Sequence, residues 1–164
     1  MKKTEKIAHY GILIALAMIL SYLESQIPAF FAVPGMKLGL TNLVVIFALF
    51  TIGEGAALIS NLIRIFLVGI LFGSGVSLIY SLAGGLLSGI GMILLHRFGR
   101  FHTVTISVAG GLLHNIGQII AAMILMHTSA IAWYLLVLWF SGIVSGAVIG
   151  LIGAQVVGRL KPIM

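Results

Sequence analysis

The sequence contains no cysteine, no aspartate and only three acidic residues, all glutamates, among its 164 residues. Without cysteine the chain can form no disulfide, no thiolate metal site and no thiol nucleophile. Without aspartate it has no carboxylate cluster of the kind that holds magnesium on a diphosphate substrate. Charged residues make up only 7% of the chain, too few for the solvated surface of a soluble domain. These absences predict a protein that lipid surrounds, with no metal site and no enzymatic activity.

Apolar residues, at 61% of the chain, dominate what is present. A membrane-spanning helix needs about 20 such residues, so the length predicts one all-α integral membrane domain over residues 1–164 with six transmembrane helices. The second of these is short for a span, because a helix over 38–52 rises only about 22 Å, less than the roughly 30 Å of the hydrocarbon core. The predicted spans cover residues 7–24, 38–52, 54–72, 75–95, 104–126 and 131–157.

The basic residues explain the net charge of +6 as a topology signal rather than a nucleic-acid-binding surface. Positive residues concentrate on the cytoplasmic side of membrane proteins. With the N-terminus inside, Lys37 is the only cation in an outer loop, and an even number of spans places the C-terminus inside as well. The residues that fall on the inner side are Lys2, Lys3, Lys6, Arg97, Arg100, Arg159 and Lys161.

Small residues recur at every fourth position of the last predicted span, a spacing that lets two helices approach closely. A shorter series lies in the fourth span. Such a face can pack within the protein, or it can bind a partner subunit or a second copy of the chain, and the sequence leaves both interpretations open. The two series are Gly142, Gly146, Gly150, Ala154 and Gly158, and Ser81, Gly85 and Gly89.

Polar side chains inside or beside the spans are the candidate site, because such groups are costly in lipid and usually face a cavity or one another. The alternative interpretation is structural, with an interfacial carboxylate and hydrogen bonds between helices. Their predicted depths favour a polar cavity that opens on the outer side and takes an anionic or polar head with an apolar body. The residues are Glu24, Lys37, Asn42, Asn61, Arg64, His114, Asn115 and Gln118.

The sequence allows two assignments for the partner of Arg64. A buried guanidinium needs an anionic or carbonyl partner, and Glu24 is the only protein carboxylate expected at a compatible depth. If Glu24 pairs with Lys37 instead, Arg64 is left for an external anion. The sequence does not decide between these pairings.

Five stretches of the sequence resemble the heptaprenyl diphosphate synthase component I family, also called the Gx transporter family. They are residues 23–28, 33–42, 61–64, 81–88 and 114–118. That family is similar to the substrate-binding S components of energy-coupling factor (ECF) transporters. The resemblance implies a six-helix bundle that binds a small molecule from outside and docks on a transmembrane coupling subunit driven by ATPases. It implies a docking surface on the first helix, at Ala8, Gly11 and Ala15.

The leading hypothesis is therefore a substrate-binding subunit for uptake, multi-pass in a bacterial-type cell membrane, in contact with lipid and without a nucleic-acid partner. Two alternatives remain. One is a non-catalytic membrane accessory to prenyl diphosphate or quinone synthesis. The other is a component of extracellular electron transfer that binds flavin or quinone as its ligand.

Overall fold

Six α-helices make up the structure, a computed structural model that describes residues 3–26, 38–99 and 101–160. All regular secondary structure within these ranges is helical, which confirms the predicted all-α fold. A short 3-10 helix at Ala130–Tyr134 precedes the last α-helix, so the sixth predicted span, 131–157, begins in a different conformation from the one expected. The helices are α1 (Lys3–Gln26), α2 (Leu40–Thr51), α3 (Glu54–Leu71), α4 (Gly75–Phe98), α5 (Thr103–Met126) and α6 (Leu135–Leu160).

Five of the helical segments are long and apolar enough to cross a membrane, while α2 is apolar but has only twelve residues. The chain is thus a multi-pass membrane protein. The short second span was expected, and its helix is shorter still than the predicted 38–52.

The short helix α2 occupies the centre of the bundle, where it packs against α1, α3, α5 and α6. Its side chains from Val44 to Leu49 are almost all buried, and Ile46 and Ala48 are completely inaccessible. A helix that is apolar all round belongs in an interior. The core around it takes residues from each of the other five helices: Leu13, Ala17, Ala56, Ala57, Met92, Ile106 and Ile149.

Short connections make consecutive helices from α2 to α6 run in opposite directions, and a hydrogen bond from the N–H of Gly39 to Glu24 brings the end of α1 to the start of α2. The start of α1 and the end of α6 therefore lie at one end of the bundle, here called the terminal end. A two-residue turn there, Ile52–Gly53, joins α2 to α3, and Gly53 adopts a φ of 130° that a side chain would disfavour. From this turn α2 rises about 18 Å and α3 about 27 Å. The N-terminus of α2 therefore lies inside the bundle, about two thirds of the way along α3 from the turn, rather than at the opposite, far end.

Glycines bring α5 and α6 into direct backbone contact. A Cβ added to Gly146 would lie 2.7 Å from Cα of Val108, and one added to Gly150 would lie 2.7 Å from Cα of Val104. The first three glycines of this small-residue face are thus packed within the protein, as one interpretation predicted, whereas Gly158 is exposed. The other interpretation, a surface for a partner or a second copy, is wrong for Gly142, Gly146 and Gly150, because α5 already covers them.

We expect Gly146→Ala to destabilise the protein, because its methyl group would meet the backbone of α5 and force the two helices apart. The expected loss is about 1–3 kcal/mol, against a gain in helix propensity of about 1 kcal/mol. Gly11→Ala is the matched control, since a Cβ there meets nothing within 4 Å. Thermal unfolding in mild detergent measures both variants. Equal melting temperatures for the two would contradict the close packing of α5 and α6.

Candidate functional site

Two consecutive glycines of α4 place polar side chains from α3 and α5 at the same level of the bundle. Gly85 faces α3, where its carbonyl accepts a hydrogen bond from Nδ2 of Asn61 at 3.4 Å. Gly84 faces α5, and a Cβ there would lie 3.0 Å from Cε1 of His114 and 3.0 Å from Cγ of Gln118. Because successive helical residues point about 100° apart, the pair lets α3 and α5 approach α4 from two sides.

Asn61 and Arg64 form a hydrogen-bonded pair on one face of α3, as their spacing predicted. Nη2 of Arg64 donates to Oδ1 of Asn61 at 2.6 Å, and Asn61 is only 5% exposed. Nε of Arg64 is buried and has no hydrogen-bond partner among the residues that the structure describes. The guanidinium thus keeps donor capacity beyond its contact with Asn61.

Glu24 closes the N-terminus of α2 from the neighbouring helix α1. Its Oε1 accepts a hydrogen bond from the backbone N–H of Gly39 at 2.6 Å. Gly39 is left-handed, with φ 75°, and its carbonyl accepts from the N–H of Asn42 at 2.8 Å to start the helix. One carboxylate therefore joins α1 to α2.

The predicted alternative, in which Glu24 pairs with Lys37, involves a residue outside those that the structure describes and stays a prediction. The other alternative, in which Glu24 pairs with Arg64, likewise stays a prediction. Asn42 lies half-buried in the first turn of α2, where its backbone N–H donates to the carbonyl of Gly39.

Asn115 ties α5 to α6 rather than facing the other polar residues. Its Nδ2 donates to the carbonyl of Leu138 at 2.6 Å, and the side chain is 9% exposed. Gly142 makes room for it, since a Cβ there would lie 2.8 Å from Nδ2 of Asn115. The structural interpretation of this residue, a hydrogen bond between helices, accounts for its position. His114 and Gln118 face α4 instead, on the adjacent face of α5.

The predicted docking residues on α1 lie on the outside of the bundle. Ala8, Gly11 and Ala15 are all exposed, and the space around Gly11 is open. None of the other described helices packs against this face.

Sequence reasoning missed Gly39 and the pair Gly84–Gly85 as parts of the site. Gly39 directly precedes the Leu-Thr-Asn that opens α2, and a glycine before the first turn is a recognisable helix start. Gly85 was predicted only as part of a helix-packing series, and the sequence did not indicate which helices would pack on Gly84 and Gly85. Among the described residues, no group of three His, Asp or Glu side chains could hold a metal ion.

A family model described as heptaprenyl diphosphate synthase component I matches residues 13–156. The matched range contains all eight candidate ligand-binding residues, but only Ala15 of the three predicted docking residues. Neither a search of curated proteins nor a search of solved structures found a match.

We expect a double-mutant cycle to detect the interaction between Glu24 and Arg64. Glu24→Gln and Arg64→Gln, alone and combined, should show a coupling of about 0.5–3 kcal/mol in the free energy of unfolding. The control cycle pairs Glu24→Gln with Arg97→Gln, because Arg97 is exposed at the terminal end, and its coupling should be close to zero. Additive effects of the first pair would mean that the two charges act independently.

Proposed function

The chain belongs to the heptaprenyl diphosphate synthase component I family, and from this premise we propose that it is a membrane-embedded substrate-binding subunit for the uptake of a small molecule. It binds rather than transforms its ligand, which has an anionic or polar head and an apolar body. The observation that carries this proposal is the polar layer at the level where α2 begins. Its described members are Glu24, Asn42, Asn61, Arg64, His114 and Gln118, and we expect Lys37 to join them.

The free-energy cost of placing these polar groups among apolar helices supports a binding role. Each polar group held among apolar helices loses its hydration, and such groups are usually associated with ligand or ion pathways. Hydrogen bonds within the protein use part of the layer, as between Asn61 and Arg64. The buried Nε of Arg64 retains a donor, which suits an anionic oxygen of a ligand. Apolar neighbours such as Ile65, which packs against Gly85, suit an apolar body.

Uptake requires a source of energy, which we assign to partner ATPases acting through a transmembrane coupling subunit, as in the ECF transporters that the family resembles. The exposed face of Ala8, Gly11 and Ala15 is the proposed docking surface, because small residues allow a second helix to approach closely. The excess of basic residues at the terminal end supports a cytoplasmic location for that end. The ligand then enters from the far end, outside the cell membrane.

A second candidate function follows from the family description, which names a synthase component. In that role the protein is a non-catalytic accessory that holds a prenyl diphosphate synthase at the membrane. The same polar layer then binds a lipid-like product or a quinone. Co-purification of a synthase whose activity depends on this protein would favour this candidate over uptake.

Native mass spectrometry of the protein in mild detergent, with extraction of bound small molecules, tests the binding site. We expect a stoichiometric anionic ligand, whose retention falls by about 10-fold to 150-fold in Arg64→Gln, since a hydrogen bond to a charged group contributes about 1.5–3 kcal/mol. Arg97→Gln, at the exposed terminal end, is the control and should retain the ligand fully. Unchanged retention in Arg64→Gln would remove Arg64 from the site. An extracted flavin, with its visible absorption, would favour electron transfer instead.

Docking is tested separately by Gly11→Leu. We expect this variant to lose co-purification with partner subunits and to lose uptake, because the larger side chain keeps a second helix at a distance. Its melting temperature should not fall, since nothing within the chain lies within 4 Å of this position. Gly158→Leu on α6, where the surroundings are equally open, is the control. Normal partner binding by Gly11→Leu would place the docking surface elsewhere.

A further inference from the structure

The 3-10 helix and the start of α6 lie at the far end of the bundle, at the level where a bilayer changes from hydrocarbon to headgroups. Together they form the longest of the five spanning segments, Ala130–Leu160, with 31 residues. Arg159 in the last turn of α6 favours the boundary at the terminal end. About 20 residues before it, or roughly 30 Å along the helix, Trp139 lies at the level of the opposite boundary. The 3-10 helix, which contains Trp133, continues from there into the headgroup region.

An apolar groove opens beside the junction of the 3-10 helix and α6. Its volume is about 400 Å³, which is within the range of pockets that bind small molecules. Two tryptophans contribute to its lining, Trp133 with 78% of its surface exposed and Trp139 with 45%. The remaining lining residues are Ala132, Leu135 and Leu136. None of the lining residues carries a charge, so the groove suits an apolar occupant.

The surroundings of the groove indicate that this occupant is a lipid chain. The groove is continuous with the lipid-facing side of α6, where Leu136 is 68% exposed and Phe140 is 71% exposed. Residues 130–158 include no Lys, Arg, Asp or Glu, so a headgroup phosphate would find no cation along this segment, whereas an acyl chain needs none. Tryptophan is enriched at membrane–water boundaries, because its ring is apolar and its N–H donates to polar groups at the surface.

We propose that this groove is a lipid site, which binds one acyl chain of a phospholipid from the leaflet at the far end, in contact with both Trp133 and Trp139. The chain fills the space that the small side chain of Ala132 leaves open. Bound lipid then holds the start of α6 at a fixed level in the bilayer. An aromatic belt alone would place indole rings at the same boundary, but it would provide no defined site for a single chain. The site is separate from the polar layer and does not depend on the proposed uptake function.

Intrinsic fluorescence tests the site directly, because the chain has only 2 tryptophans and both line the groove. The probe is phosphatidylcholine with bromine atoms along one acyl chain, which quenches indole fluorescence on contact. It is titrated into the purified protein in mild detergent. We expect quenching that saturates at one lipid per protein, while phosphatidylcholine without bromine should quench nothing.

Single-tryptophan variants show whether both rings contact the same chain. Trp133→Phe and Trp139→Phe each leave one tryptophan, which should be quenched over the same range of lipid concentration in both variants. The proposal is overturned if quenching rises without saturation, or if only one of the two tryptophans is quenched. Absence of quenching in the wild type would also overturn it, since protein rather than lipid would then cover the groove.

Ala132→Leu distinguishes the groove from general exposure to lipid, because the larger side chain fills the space. We expect it to raise the lipid concentration for half-quenching by about tenfold or more. Ala130→Leu is the matched control, since Ala130 is exposed on the same 3-10 helix but does not line the groove. Equal half-quenching concentrations in the two variants would refute the lipid site and leave an ordinary aromatic belt. If Ala132→Leu does not fold, saturation and the single-tryptophan variants decide the question.

Discussion

A helix that begins within a membrane protein must find acceptors for its first N–H groups without the help of bulk water. In the hydrocarbon region each unsatisfied backbone group costs several kcal/mol, and α2 starts about one third of the way along α3 from the far end. The hydrogen bond from Gly39 to Glu24 meets part of this requirement. The carboxylate that provides it belongs to α1, so this hydrogen bond also joins α1 to α2. The central position of α2, and with it the core of the protein, depends on this arrangement.

Glycine determines how the remaining helices meet. Where α5 lies against α6, the backbone of one helix touches the backbone of the other at Gly146 and Gly150. On the opposite side of α5, a Cβ at Gly117 would lie 2.8 Å from Cα of Gly84. Helices α4, α5 and α6 thus form a tightly packed unit, while α1 contacts only α2 and α3 to a substantial extent. The described residues of the polar layer come from α1, α2 and α3, and from α5 of this tightly packed unit.

The sequence was sufficient to predict the six helices, because lipid imposes one length and one composition on a spanning segment. Helical spacing was also enough to place Asn61 and Arg64 on one face. The sequence grouped Asn115 with His114 and Gln118 in one candidate site, whereas in the structure Asn115 bonds to α6. It did not predict which helix each face would meet. Lipid tails are as apolar as leucine side chains, so hydropathy does not distinguish the inside of a bundle from its outside. For the same reason the glycines of α6 were compatible with either a partner helix or α5.

The length of α2 also bears on how the chain enters the membrane during synthesis. Twelve apolar residues are too few to span the hydrocarbon core alone, so this segment is not inserted as an independent helix. The turn at Gly53 joins it closely to α3, which is long enough to span. We therefore expect the two helices to enter the membrane together as a hairpin, in which α3 supplies the apolar length that α2 lacks.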